Sequence, residues 1–285
     1  WFKNKIVLRF IDHNKKVWDA WGNKNSKEIV MVDYYPIGET EIARSYLLNI
    51  LAKKFNAKIV TYSHTQSRSF VWNKIYCSFN VDEHLLISLN ADQQLRSDKL
   101  SSEIIININT KQELFDLKIY GVWIGVDIYE EFLMKYTEPT VIMNDNRLHN
   151  IIREGIGVLI FWKDYFETNN IKAMVSSHIG VRIEKNLPLK IAGQLFNIPF
   201  YSSHSRNITH YPKPHMYYKE VSKHFMSYHE KFEALSEKTQ KDGINWAKSR
   251  IQERLSGTVG VDMDYSTKSA FTSYVNDQLV IAKNN

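Results

Sequence analysis

The stretch Ile171–Arg206 constrains the fold more than any other part of the chain. It contains two short apolar runs, IKAMVSSH and IPFYSSHSR, on either side of the helical segment NLPLKIAGQLF. A strand, a helix and a second strand within about thirty residues are typical of a βαβ unit, whose two strands are parallel. We therefore predict an α/β fold with a mostly parallel sheet and helices on both faces.

Both apolar runs end in the same polar sequence, Ser-Ser-His, at 176–178 and at 202–204. Open α/β sheets bind ligands outside the carboxyl ends of their strands, so we expect His178 and His204 at one rim of the sheet. A histidine there has a pKa near working pH and suits the removal of a proton from a substrate hydroxyl. Arg206 belongs to the same rim and is a candidate for binding phosphate or carboxylate. The simpler alternative is that these residues are ordinary polar loop residues.

A first βαβ unit lies near the amino terminus. The consecutive apolar residues of EIVMVDYY predict a buried strand, and AKIVTYS predicts the next one. Between them, Glu39–Phe55 has helical spacing, with Tyr46 and Ile50 on its predicted apolar face. The loop DYYPIGET has a single glycine and matches neither a dinucleotide fingerprint nor a Walker loop. Asp33 in this loop is predicted either to bind a ligand hydroxyl or to cap the turn.

The remaining segments predict a single domain over residues 1–285 with two additions. NKIYCSFNV and LLISLN predict two short strands, or a strand and a turn. Residues from about 101 to 168 predict a helical insertion that includes the amphipathic piece Asp127–Tyr136. Asp145 or Asn146 is expected to cap the helix that follows. The proline- and aromatic-rich NITHYPKPHMYYK predicts a structured loop, and residues from about 217 to 285 predict a helical or linker segment.

Charge and composition narrow the classes of partner. The net charge of +6 favours anionic partners such as nucleotides, acidic glycans or a phospholipid surface. The basic residues are spread along the chain, so no nucleic-acid groove is expected. The single cysteine, Cys77, excludes an internal disulfide and a thiolate metal cage, and the histidine spacings match no standard metal-ligand pattern, so we expect no metal site. We see no signal peptide and no apolar run of membrane length, which predicts a cytoplasmic protein.

Five segments, taken in order, resemble the amino-terminal half of bacterial glycosyltransferases that build capsules and other surface polysaccharides. They span most of the chain from about Val30 to about Ala270 and read VDYYPIGETEIARSYLLNILAKKFNAKIV, IYGVWIGVDIYEEFLMKYTEPTV, LIFWKDYFETNNIKAMVSSHIGV, PLKIAGQLFNIPFY and RIQERLSGTVGVD. The resemblance rests on the order and wording of several segments. It implies one Rossmann-like half, on the acceptor side, of an enzyme of the GT-B type.

The resemblance also implies how such a chain works. Enzymes of this type generally need no metal or other cofactor and use a nucleotide-sugar as co-substrate. A second Rossmann-like domain or a partner subunit carries the donor site. The acceptor is a glycan, either free or lipid-linked, and the basic balance suits peripheral contact with the inner face of the cell membrane.

The site residues implied by strand-end position within these segments are His178 as the catalytic base and five residues for substrate binding: Asp33, Tyr35, Asp127, His204 and Arg206. Two other functions stay open. The chain is alternatively a non-catalytic carbohydrate- or nucleotide-binding module that works with a partner, or a different transferase or hydrolase on a similar fold.

Overall fold

A computed structural model describes residues 5–18, 21, 23–34, 38–64, 70–176, 183–203, 208–211 and 228–256 of the chain. Its helices are α1 (Lys5–Trp18), α2 (Gly38–Phe55), α3 (Phe70–Ser78), α4 (Ala91–Asn107), α5 (Lys111–Phe115), α6 (Gly125–Tyr136), α7 (Asn146–Thr168), α8 (Ile183–Phe196) and α9 (Glu237–Leu255). Its strands are β1 (Glu28–Asp33), β2 (Lys58–Ser63), β3 (Val81–Leu86), β4 (Lys118–Ile119), β5 (Val122–Trp123), β6 (Asn170–Ser176), β7 (Phe200–Ser203) and β8 (Ile208–Tyr211).

One mixed sheet organises the described residues. Its strand order is β3-β2-β1-β6-β7-β8, and its strands pair in parallel except for β8, which is antiparallel to β7. Numbered by chain position within the sheet, this order is 3-2-1-4-5-6, as in Rossmann-like folds. The order reverses between β1 and β6, so the carboxyl ends of these two strands open onto the crevice where such sheets bind ligands.

Helices cover both faces of the sheet. On one face, Val30 and Val32 of β1 and Val175 of β6 share a buried core with α1, α2 and α3. Alternate residues of a strand point to the opposite face. There, Trp162 of α7 packs edge-on against Tyr62 of β2, with ring centroids 4.8 Å apart. The predicted α/β fold, with a mostly parallel sheet and helices on both faces, is confirmed.

The strand predicted over NKIYCSFNV is wrong, because most of this segment belongs to α3. Ile75, Tyr76 and Phe79 are buried in the core next to α1 and α2. Their spacing fits one face of a helix, but a window this short does not separate helix from strand by periodicity alone. The strand β3 follows α3, and LLISLN supplies only its last two residues.

The predicted apolar face of α2 is also wrong in part. Tyr46 is 45% exposed and Ile50 is 51% exposed, whereas Leu48 and Asn49 are fully buried. The Asn49 side chain donates a hydrogen bond to the Phe79 carbonyl at 3.1 Å. A satisfied buried amide costs little, so the helix can turn a polar residue inward and leave two apolar residues in water.

The segment predicted as a structured loop, NITHYPKPHMYYK, begins with a strand instead. Its residues 208–211 form β8 at the edge of the sheet. Two aromatic pairs join β7 and β8: the Tyr201 and His210 rings stack at 4.6 Å, and the Phe200 and Tyr211 rings stack at 5.2 Å. Cross-strand aromatic contacts of this kind stabilise an antiparallel pair, and the single-segment pattern does not reveal them.

The helical region between β3 and β6 begins at Ala91, before the predicted start near residue 101, and continues to Thr168. Asn90 and Gln93 form a capping box that starts α4, and the Asp145 side chain caps α7 as predicted. The small β4–β5 hairpin precedes α6. Gly125 starts α6 where a Cβ atom would lie 1.7 Å from the Leu114 carbonyl oxygen, so only glycine fits there.

The chain divides into two compact units, Trp1–Tyr217 and Tyr218–Asn285. The first contains the sheet. The second contains a helical stretch at 228–233 and α9, and the Phe232 ring lies 3.6 Å from the position of a Cβ atom on Gly243. In the described part of the chain, no helix combines the length and the apolar character needed to span a bilayer.

Candidate functional site

Four buried polar side chains form a row across the carboxyl end of the sheet. Tyr62 of β2 and Asp33 of β1 are register partners, and so are Ser176 of β6 and Ser202 of β7. The β1–β6 register pairs Val32 with Val175, so the next residue of each strand, Asp33 and Ser176, joins the two pairs into one row. All four residues are buried. Strands that are covered on both faces are normally apolar throughout, so this polar row distinguishes the carboxyl edge from the rest of the sheet.

Arg44 of α2 holds the Asp33 end of the row. Its Nη2 atom lies 3.1 Å from Asp33 Oδ1, and its Nη1 atom donates a hydrogen bond to the Asp33 carbonyl at 2.9 Å. The Tyr76 hydroxyl donates to the same carbonyl at 3.4 Å. Asp33 is therefore a buried anion balanced by a guanidinium. Its predicted contact with substrate stays a prediction.

Tyr62 adds a neutral donor beside that anion. Burial raises the pKa of the Tyr62 phenol well above its usual value of 10.0; the Asp33 carboxylate raises it further, and Arg44 opposes the change. The phenol therefore stays protonated at neutral pH. Its hydroxyl has no hydrogen-bond partner among the described residues.

His64 directly follows β2 at the same edge, two residues beyond Tyr62. Burial lowers the pKa of His64 below its usual value of 6.5, although the carboxylates of Glu184 and Glu154 and a hydrogen bond to the Glu184 backbone oppose this. His64 is therefore a neutral imidazole at physiological pH.

The Nε2 atom of His64 is buried and has no hydrogen-bond partner among the described residues. A neutral imidazole whose ring nitrogen is not engaged by the protein can accept a proton from a substrate hydroxyl.

His64 lines a groove between α4 and α7 with a volume of about 310 Å³. This volume lies at the lower end of the range for small-molecule sites, about 300–1,000 Å³. Leu89 and Val158 supply apolar surface. The other polar side chains in the lining are Gln94, Ser97, Asp98, Arg153 and Glu154. Amide, hydroxyl and carboxylate groups over an apolar floor suit a ligand that carries several hydroxyl groups.

Asp127 lies away from this groove, in a buried contact between α6 and α8. It accepts a hydrogen bond from Asn186 and forms an ion pair with Lys190, whose Nζ also donates to the Trp123 carbonyl at 3.0 Å. Burial lowers the pKa of Lys190, and the Asp127 carboxylate opposes the change. Both charged side chains are almost fully buried. The described contacts of Asp127 therefore hold two helices together, and its predicted role in substrate binding stays a prediction.

Four predicted site residues, His178, Tyr35, His204 and Arg206, lie outside the described residues. Their roles stay predictions. Where side chains are described, no three histidine, cysteine or carboxylate groups come close enough together to form a metal site.

The comparisons with known proteins give no family. No family model, curated protein or solved structure matches this chain. The fold and the site geometry are therefore the structural grounds on which a function is proposed.

His64 is the site residue that the sequence reasoning missed. The signal was present, because AKIVTYS is followed at once by His64, just as the other two strands are followed by His178 and His204. In each case the histidine stands two positions after a member of the polar row: Tyr62, Ser176 or Ser202. Side chains two residues apart on a strand share a face, so applying the strand-end rule to every strand would have identified His64.

We expect acid to destabilise the protein through His64. Burial lowers the pKa of His64 in the folded state, so below its ordinary pKa the unfolded chain binds the proton more readily. The stabilisation is complete above about pH 6.5 and is lost as the pH falls through the folded-state pKa. Urea unfolding at about pH 7.5 and about pH 5 measures the loss, and a His64→Gln variant should lose less stability over that interval. Equal losses in the two proteins would contradict the assignment.

Proposed function

We propose that this chain is the acceptor-side half of a metal-independent glycosyltransferase of the GT-B type. It would transfer a sugar from a nucleotide-sugar to a growing bacterial surface polysaccharide. The strand order of the sheet supports this proposal, because GT-B halves are Rossmann-like. The fold alone does not choose the reaction, so the argument depends on the site.

The resembling segments cover part of the carboxyl edge of the sheet. They supply the end of β1, α2 and the start of β2, then β5 and α6, then the second half of α7 with β6, then the second half of α8 with the start of β7, and the end of α9. Asp33 and Ser176 of the polar row lie within these segments, whereas Tyr62, His64 and the other residues that line the groove lie outside them. The resemblance therefore supports the Rossmann-like half, and the groove is a separate ground for the proposal.

The observation that carries the proposal is the neutral His64 imidazole beside a polar groove. In the proposed reaction, Nε2 takes the proton of an acceptor hydroxyl as that oxygen attacks the anomeric carbon of the donor. The bond between this carbon and the diphosphate oxygen breaks, and the nucleoside diphosphate leaves with the electron pair. Arg153 in the groove lining is a candidate to stabilise the developing phosphate charge.

The partners follow from this reaction. The acceptor glycan occupies the groove, and a second α/β domain or a partner subunit presents the nucleotide-sugar. With a net charge of +6, the chain suits work at the inner, anionic face of the cell membrane on a lipid-linked acceptor.

Replacing His64 by glutamine tests the proposal. In the intact protein with nucleotide-sugar and glycan acceptor, we expect the transfer rate to fall by about 10²–10⁴-fold, the usual contribution of a general base. His149→Gln is the matched control, because His149 is a half-buried histidine outside the groove lining, and it should keep the wild-type rate. Circular dichroism checks that both variants are folded.

The outcomes separate the rival functions. Glycan binding without turnover identifies a non-catalytic binding module, and release of free sugar with water as acceptor identifies a hydrolase. A transfer rate that depends on His178 but not on His64 overturns the choice of base.

A further inference from the structure

One wall of the groove between α4 and α7 is held in place from both sides. This wall is Leu89, which stands in the short connection between β3 and α4. Before it, the Ile87 backbone N–H donates a hydrogen bond to the Ser63 carbonyl at 3.0 Å and ties the connection to the end of β2. After it, Asn90 caps α4. Because its neighbours in the chain are anchored, Leu89 is a preformed apolar wall.

The floor of the groove lies where α4 and α7 approach each other. Gly157 of α7 is buried, and a Cβ atom on it would lie 3.1 Å from Leu89 Cδ1 and 3.6 Å from Ser97 Oγ. Two carbon atoms in contact normally stay about 3.5–4.0 Å apart. A side chain at position 157 would therefore displace the end of the Leu89 side chain and change the shape of the groove.

Polar groups stand beside this apolar surface. Ser97 is buried at the floor, and its hydroxyl both donates and accepts hydrogen bonds. At the rim, Gln94 Nε2 donates to Asp98 Oδ1 at 3.0 Å, so the amide and the carboxylate orient each other. Together with Leu89 and Val158, these groups match a ring that has an apolar C–H face and hydroxyls along its edge.

The charges around the groove are balanced. In the lining, Arg153 is positive, and Asp98 and Glu154 are negative. Lys135 of α6 adds a second positive charge, because its Nζ atom lies 3.1 Å from Glu154 Oε2. A ligand carboxylate would meet two carboxylates together with these two cations, so it would gain no net attraction. An uncharged ligand keeps the hydrogen bonds of the groove without this repulsion.

We propose that the groove binds one uncharged sugar ring of the acceptor, and that Leu89 and Gly157 together set the size of the substituent allowed on that ring. The proposal rests on the proposed function and deepens it, because it assigns the substrate class of the same site. The groove, at about 310 Å³, is small for a ligand site, so one wall residue controls much of its space. Leu89 limits the substituent, and the missing side chain at position 157 leaves it room.

Two substitutions should change the preference for substituent size in opposite directions, since Leu89→Ala enlarges the groove and Gly157→Ala fills part of its floor. The probes are methyl hexosides of gluco and galacto configuration, their bulkier 2-acetamido derivatives and the corresponding uronides. Each is titrated into the intact protein and followed by the backbone amide NMR signals of Ser97 and Val158. One methyl or methylene group in an apolar pocket changes selectivity by about 10-fold or more. We expect the affinity for 2-acetamido sugars relative to hexosides to rise by that factor in Leu89→Ala and to fall by it in Gly157→Ala.

Gly155→Ala is the matched control, because Gly155 lies on the same helix in a similarly crowded place but faces α6 and α8. A Cβ atom on Gly155 would lie 3.3 Å from Ile128 Cγ1 and 3.5 Å from Ile183 Cδ1. This variant should keep the wild-type ratio of affinities. The double variant Leu89→Ala with Gly157→Ala should move the ratio back toward wild type, because the first change removes the carbons that the new Cβ would meet. If Gly157→Ala does not fold, Leu89→Phe narrows the groove instead and should lower the ratio.

The outcomes separate the parts of the proposal. Tighter binding of a uronide than of its hexoside overturns the uncharged substrate class. If Gly157 served only the packing of α4 on α7, its substitution would change the free energy of unfolding but not the ratio of affinities. An unchanged ratio in both single variants, or no response of the Ser97 and Val158 signals to any of the sugars, therefore overturns the role of the groove. If the sugars bind as expected but no nucleotide-sugar supports transfer, the groove assignment stands and the glycosyltransferase function fails.

Discussion

Truncation of Lys190 to alanine should destabilise the protein by about 3–5 kcal/mol, the usual cost of breaking a buried ion pair by removing one partner. The Asp127 side chain is 0% exposed and the Lys190 side chain 1% exposed, so water cannot replace the lost ammonium without opening the contact between α6 and α8. The Asn186 amide would still donate to Asp127, but a neutral donor does not balance a buried negative charge. Urea unfolding of wild type and variant measures the free-energy difference.

A double variant provides the control. Asp127→Leu combined with Lys190→Met removes both charges and keeps apolar volume, and buried pairs replaced in this way are often neutral or stabilising. We expect its free energy of unfolding to lie near that of wild type. If Lys190→Ala lowered the free energy of unfolding by less than about 1 kcal/mol, the pair would behave like an exposed ion pair. That result would contradict the burial of Asp127 and Lys190.

The sequence predicted the layers of this fold because each layer has a local pattern. Consecutive apolar residues in β1, β2 and β6 predict strands that are buried on both faces. The spacing of apolar residues in α7 predicts a long helix that packs on the sheet. The pairing of Asp127 with Lys190 has no local signal. The two residues are 63 positions apart, and only the packing of α6 on α8 brings them together. Asp127 was therefore predicted as a substrate contact, whereas its described contacts are with α8.

For the candidate site, too, local patterns could be predicted from the sequence, whereas tertiary contacts could not. The rule that ligands bind at the carboxyl ends of parallel strands led to the edge of the sheet where Asp33 and the polar row lie. The lowered pKa of His64 could not be predicted, because it depends on burial and on Glu184, which is 120 positions away in the sequence. Periodicity reports which face a residue occupies, whereas a hydrogen-bond partner depends on tertiary contact.

Arg44→Ala is expected to have an effect of similar size at the other end of the candidate site. The Arg44 side chain is 0% exposed and serves both the Asp33 carboxylate and the Asp33 carbonyl, so the truncation leaves a buried anion and removes a donor from a buried carbonyl. We expect a loss of about 3–5 kcal/mol in the free energy of unfolding, measured in urea. The Tyr76 hydroxyl still donates to that carbonyl, so the damage should centre on the carboxylate.

Arg153→Ala is the matched control for Arg44→Ala. Arg153 is an exposed arginine of α7 with no described ion pair, and its removal should change the free energy of unfolding by less than about 0.5 kcal/mol. Arg44→Ala combined with Asp33→Asn should recover part of the loss, because the amide carries no charge that needs burying. If the double variant were no more stable than Arg44→Ala, the packing of the arginine stem, and not its charge, would be what holds the carboxyl edge of β1. The polar row would then result from the packing of α2, and Asp33 would not be a preformed anion at the crevice.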